Sequence, residues 1–206
     1  MKLIDISWPI TKNMTPYKER QLVQFSHLKS WEKDRLRQSQ LLLDMHAGTH
    51  VDAPAHFLQH GTTIDQFSIQ QLVGSCVVLE CMDVQKIRSS DVEGRDIRLG
   101  DIVLFKTKNS LLSSEDVFNS DFVYVEKSAA EFLVQQKVKA VGIDYIGIER
   151  DQPQHETHTV LLSKNIPIIE GLRLRQVHPG RYTLFCFPLA VKGLEAAPAR
   201  AFLMVE

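Results

Sequence analysis

His46, His50, Asp52 and His56 fall within one eleven-residue stretch, "HAGTHVDAPAH", and four of the chain's eight histidines lie between positions 46 and 60. Imidazole nitrogens and carboxylate oxygens are donors from which zinc, manganese and iron sites are built. Imidazole is also the side chain that exchanges its proton near neutral pH. The stretch therefore offers metal ligation, acid–base chemistry, or both, and geometry limits how. On a helix His46 and His50 share a face at about 100° per residue, but Asp52 and His56 then point away. Gly48 and Pro54 oppose a helix as well. On a straight strand His46 and His50 stand about 13 Å apart at roughly 3.3 Å per residue. One ion with metal–nitrogen bonds of about 2.0 to 2.1 Å cannot span that gap. Convergence requires a bend at Ala47-Gly48-Thr49, where glycine admits the necessary backbone angles. A metal site outweighs a purely structural turn here. A histidine base acting without metal is a second reading, with no G-x-S-x-G elbow or comparable nucleophile beside it.

Such a cluster must be held by a framework, and apolar runs rich in Val, Ile and Leu supply one: "KLIDIS", "QLLLDM", "CVVLECM", "DIVLFKT", "VKAVGID", "IPIIEGL", "YTLFCFPLAV" and "ARAFLMVE". Each is bounded by polar or turn residues and reads as a strand. "SAAEFLVQQK" reads as a helix, with Ser128 as its cap and Glu131 closing a capping box. A weaker helix is expected after Asp65 in "IDQFSIQQLV". The expectation is an α/β fold, a mixed and strand-rich sheet with few helices. No repeat, low-complexity tract or linker divides the chain, so residues 1–206 read as a single domain.

Composition narrows the partners. Lys plus Arg number 24 against 25 Asp plus Glu, which leaves a formal charge of -1 and no general field for nucleic acid or an anionic membrane. A small-molecule ligand is expected. No run approaches the roughly 20 apolar residues of a membrane span, and "MKLIDISWPITKNM" lacks the apolar core of a secretory signal. Cys76, Cys81 and Cys186, odd in number and without zinc-finger spacing, suit a reducing compartment, and a cytoplasmic address is expected.

The order of residues carries more. "HAGTHVDAPAHF" resembles the HxGTHxDxPxH signature of the metal-dependent cyclase family, whose best-defined members are bacterial kynurenine formamidases. "LGDIVLFKT", "VGID", "HTVLLSKNIPIIEGL" and "FPLAVKGLEAAPARAF" resemble the family's later blocks in the same order, so the likeness covers nearly the whole chain. It implies a cyclase-like α/β hydrolase with two divalent metal ions, usually zinc and in some members manganese, working as a dimer or higher homo-oligomer. It also implies that His46, His50 and Asp52 are metal ligands, with Asp52 bridging, and that His56 is the catalytic acid/base. By the family's spacing, His158 and Glu170, twelve residues apart, complete the ligand set. His155 and Glu156 in "HETH" are the alternatives that this spacing disfavours. Glu170 also follows the apolar run "IPII", where a buried carboxylate needs a compensating charge.

The implied activity is hydrolysis of a small amide by water activated between the ions, with His56 moving the protons. The expected substrate is an aryl formamide such as N-formyl-kynurenine. A cyclic amide or lactone, as in isatin-opening members, is the alternative, and a non-catalytic metal-binding protein is a second, though that would have no use for His56. The N-terminal loop departs from the formamidase pattern. "NMTPYKER" offers Tyr17 as the substrate-lining aromatic, but Lys18, Glu19 and Arg20 replace the Pro-Gly-Asp turn, and an ordinary half-exposed loop tyrosine is the competing reading of Tyr17.

Overall fold

Apolar runs that cannot each bury a face alone do so by pairing. The computed structural model describes residues 2–18 and 23–205. Its strands are β1 (Lys2–Asp5), β2 (Val23–Lys29), β3 (Gln38–Leu43), β4 (His50–Asp52), β5 (Val73–Cys81), β6 (Lys86–Ile87), β7 (Ile102–Thr107), β8 (Tyr124–Val125), β9 (Ala140–Ile143), β10 (Ile168–Glu170), β11 (Gly180–Pro188) and β12 (Ala196–Val205). The helices are α1 (Trp31–Asp34), α2 (Ser89–Val92), α3 (Lys127–Gln135) and α4 (Glu156–Leu162). All eight apolar runs contribute strands, and the α/β, strand-rich expectation holds.

Eight strands form one sheet in the order β1-β12-β11-β5-β7-β9-β10-β4, and β4 also pairs with β12, which closes the sheet into a barrel. The run β5-β7-β9-β10 is parallel, and the other pairings are antiparallel. The long β12 makes closure feasible: Phe202–Val205 pair with β1 while Ala196–Pro198 pair with β4. Inward residues such as Val51, Leu104, Ile169, Leu184 and Leu203 fill the barrel. On the outer face, α3 and α4 cover the parallel strands through Leu133, Leu161, Leu162, Phe105 and Ile168. Burying these two layers supplies the main driving force at roughly 25 cal/mol per Å² of apolar surface.

Two local expectations are corrected. Glu126, not Ser128, precedes α3; Ser128 lies inside its first turn, where its hydroxyl donates to Glu126 Oε2 (2.8 Å) and accepts from the backbone N of Ser89 (3.2 Å). The expected helix after Asp65 is two 3₁₀ turns, Ile64–Gln66 and Ile69–Leu72, because Phe67 and Ser68 between them are extended. Among the described residues no helix is long and apolar enough to cross a membrane.

Candidate metal centre

The bend required by the sequence is present. Gly48 sits at φ +64 between His46 and β4, and the two imidazole rings approach to 5.1 Å between centroids instead of the 13 Å or so of a straight strand. Thr49 fixes the turn, its hydroxyl donating to the Gly171 carbonyl (2.6 Å) and accepting from Trp8 N (2.7 Å). The chain then enters β4. Alternation sends Val51 into the barrel and His50 and Asp52 outward. In the antiparallel pairing with β10, Glu170 lies opposite His50 and Ile168 opposite Asp52, so Glu170 shares their face. Above this face lies α4, whose buried side carries Thr157, His158, Leu161 and Leu162. The site therefore forms on the outside of the barrel, between β4, β10 and α4.

His46, His50, Asp52, His158 and Glu170 converge there. Asp52 is central: its Oδ1 lies 3.1 Å from His46 Nδ1 and 3.5 Å from His50 Nε2, and its Oδ2 lies 3.7 Å from His158 Nε2. Glu170 faces the same rings, Oε2 at 3.3 Å from His50 Nε2 and Oε1 at 3.4 Å from His158 Nε2. Burial opposes ionisation of both acids, yet the surrounding imidazoles hold Asp52 and Glu170 below the ordinary carboxylate range. Burial likewise opposes charge on His46, and contact with Asp52 outweighs it, raising His46 to about 9. Two ionised acids in a buried pocket demand positive charge.

Each imidazole has an oxygen behind it. His50 Nδ1 is 3.0 Å from the Gly48 carbonyl, His158 Nδ1 is 3.2 Å from Glu149 Oε1, and His46 Nε2 is 3.3 Å from Glu195 Oε1. The hydrogen bonds behind His50 and His46 fix the tautomer and aim the other nitrogen inward, while Glu149 places negative charge behind His158. Sequence reading missed Glu149 and Glu195. Both are single acids without local pattern, and only the fold brings them behind a histidine.

The donor set fits divalent cations. His50 Nε2 and both Asp52 oxygens are buried with no hydrogen-bond partner among the described residues, although such atoms are costly to bury unpaired. Two triads gather their donor atoms within 4.8 Å: His50, Asp52, Glu170 and His46, Asp52, His56. The set is nitrogen and oxygen without sulfur, as borderline and hard divalent ions prefer. The three cysteines are buried and unpaired.

A cleft of about 420 Å³ opens over the site, lined by Tyr17, His56, Phe57, Ile146 and His155 among others. Pro54 starts a 3₁₀ turn that ends at His56, placing that ring 4.3 Å from His46 and 5.7 Å from His158 between centroids. Burial pushes the His56 pKa down, so its proton is held less tightly than on a free imidazole. Tyr17 is half-buried, packs edge-on against Phe118 at 5.1 Å and lines the cleft. Glu19 and Arg20 of the divergent loop lie outside the described residues.

The cyclase family model matches residues 4–150, which include the whole histidine stretch. The chain belongs to the cyclase family. A relative from Salinibacter ruber named kynurenine formamidase is 31% identical over 207 residues, covering 98% of this chain and 97% of that protein. Cyclase-like protein 3 of Oryza sativa subsp. japonica is 34% identical over 82% of this chain; the chain spans 66% of that relative. A solved structure described as a potential metal-dependent hydrolase with cyclase activity superposes with a TM-score of 0.88 at 40% identity, covering 98% of this chain and 96% of that one. The fold and the family are those of this chain.

Proposed function

We propose that this chain hydrolyses the C–N bond of a small aryl amide, with N-formyl-kynurenine as the first candidate, using two divalent ions, zinc before manganese. The observation that carries the reading is Asp52: both carboxylate oxygens lack a hydrogen-bond partner among the described residues, inside a ring of three histidines and Glu170 that opens on a cleft edged by His56. In this reading His46, His50, Asp52, His158 and Glu170 would hold the ions. Bound divalent ions would supply a water nucleophile at neutral pH and stabilisation of negative charge on the acyl oxygen.

The chain's residues do the rest. Tyr17, Phe57 and Ile146 give the cleft an apolar wall for an aryl ring. The fixed rings hold the amide carbonyl near the donors and lower the entropic part of the barrier. His56, with its proton weakly held, takes a proton from the attacking water and returns it to the amine nitrogen, without which an aniline leaves poorly. The kynurenine formamidase relative, matched almost end to end, supports an aryl formamide over other amides.

The proposal extends to setting. Residues 1–206 act as one cytoplasmic domain, consistent with three unpaired buried cysteines, and associate with further copies. The β2–β3 hairpin region exposes Leu28, Trp31, Leu36, Leu41 and Leu42, and a two-stranded hairpin is marginal alone.

The test is hydrolysis by metal-replete protein of N-formyl-kynurenine, simpler aryl formamides, isatin and small lactones. Release of formate and free arylamine is expected. Activity confined to the cyclic substrates would replace the formamide assignment with ring opening, and inactivity on all of them would remove the catalytic reading.

A further inference from the structure

His155 lines the same cleft and has no part in the hydrolysis above. It stands directly before α4, where a residue is ordinarily extended and caps the first turn with a short side chain. His155 is instead left-handed, φ 52 and ψ 55, and makes no cap bond. The cap comes from Glu149, whose buried carboxylate accepts from Thr157 N (2.9 Å) and His158 N (3.3 Å). Gln154 and Asp151 also have positive φ, 56 and 51. Three non-glycine residues in this conformation so close together are unfavourable, and such strain concentrates where a side chain must be aimed.

The strained segment brings the His155 ring back onto Glu149. Nδ1 lies 2.7 Å from Glu149 Oε1, and the ring packs on Phe57 at 4.6 Å between centroids. The side chain is nevertheless 62% exposed. Because Nδ1–H donates to the carboxylate, Nε2, on the far edge of the ring, is the nitrogen left as a hydrogen-bond acceptor. Asp151, exposed, lines the same cleft and adds negative charge to it.

We propose that His155 is a specificity-determining residue: aimed by Glu149, its Nε2 accepts a hydrogen bond from an amino group carried by the substrate, and Asp151 balances that group's positive charge. The site then selects aryl amides that bear an ammonium substituent away from the scissile bond. This rests on the aryl amide reading above.

Three aryl formamides that differ only in one ring substituent, aminoalkyl, alkyl or carboxyalkyl, are compared with the metal-replete protein. The expected kcat/KM for the aminoalkyl compound exceeds that of the alkyl compound by about tenfold, the worth of one well-formed hydrogen bond to a charged group. The carboxyalkyl compound is the poorest. His155→Phe keeps a ring against Phe57 but removes the acceptor, and brings the aminoalkyl-to-alkyl ratio close to one. Asp151→Asn, at an exposed position, lowers the ratio severalfold. A wild-type ratio near one, or an unchanged ratio in His155→Phe, overturns the proposal. If no formamide is turned over, the aryl amide reading fails separately. Calorimetric binding of the three corresponding anilines to wild type and His155→Phe then reads the same ratio, and the same outcomes decide.

Discussion

Glu170 and His50 stand directly opposite each other in the antiparallel β10–β4 pairing, with Oε2 and Nε2 3.3 Å apart. A one-residue slip in that register would turn one of them into the barrel interior, so the pairing itself assembles the centre. Glu170→Gln keeps the shape and can still accept the Ile148 N–H that now reaches Oε1 at 2.6 Å, but it removes a charge. Affinity for zinc, measured by chelator competition, is expected to fall by about a hundredfold or more, beyond the range typical of outer-sphere partners. Unchanged affinity would remove Glu170 from the ligand set.

His56 lies within reach of His46 and Asp52, so its role is separable only by measuring metal and turnover together. His56→Ala is expected to leave metal content intact while lowering kcat by about a hundredfold or more, the usual scale of a lost acid–base group. Loss of a metal equivalent would make it a ligand instead, and normal turnover would exclude it from the mechanism.

What the sequence made legible was local and periodic. The eight apolar runs became strands because their bursts of β-branched and aliphatic residues are bounded by turn formers, and HAGTH implied its bend because no straight element lets His46 meet His50. Strands without that contrast were missed. β2 exposes most of its residues, and β4 is three residues long with two polar side chains buried. Ser128 and Glu131 carried a capping signature that lost to Glu126, one turn boundary earlier. Separation in sequence hid the supports: Glu149 and Glu195 reach His158 and His46 only through barrel closure and the packing of α4.

Asp101 gives the fold a signed response to acid. Burial pushes its pKa up, but the Arg181 guanidinium (2.6 Å), Arg98 N (2.8 Å) and Ser75 hydroxyl (2.9 Å) outweigh this and hold it below the ordinary 3.8. A depressed carboxylate stabilises the folded state in full above its unfolded pKa, and that contribution is lost as pH falls through the folded value. Melting temperature should therefore drop steeply below about pH 4 in the wild type. Asp101→Asn should be less stable at pH 7 and flatter in acid. Parallel curves for the two proteins would show that Asp101 contributes nothing to acid unfolding.

Gly171 and Gly48 hold the centre together from behind. Gly171, at φ +68 just past β10, lies so close to the His46–Thr49 turn that a Cβ there would overlap the Gly48 carbonyl and crowd Thr49 N. Both obstacles are backbone and cannot rotate away. Gly171→Ala must part the turn from β10, breaking the Thr49 bond to the Gly171 carbonyl and separating His50 from Glu170. A cost of about 2 to 4 kcal/mol is expected, in the range of severe single substitutions, together with weakened metal binding. Gly48→Ala meets only the Met14 Cε, the flexible end of a side chain, at 2.9 Å. Its cost is about 1 to 2 kcal/mol, the penalty for a Cβ in the left-handed region. Chemical denaturation with a zinc titration of both variants checks the order: if Gly171→Ala is no worse than Gly48→Ala, the contact between turn and strand does not set the geometry of the site.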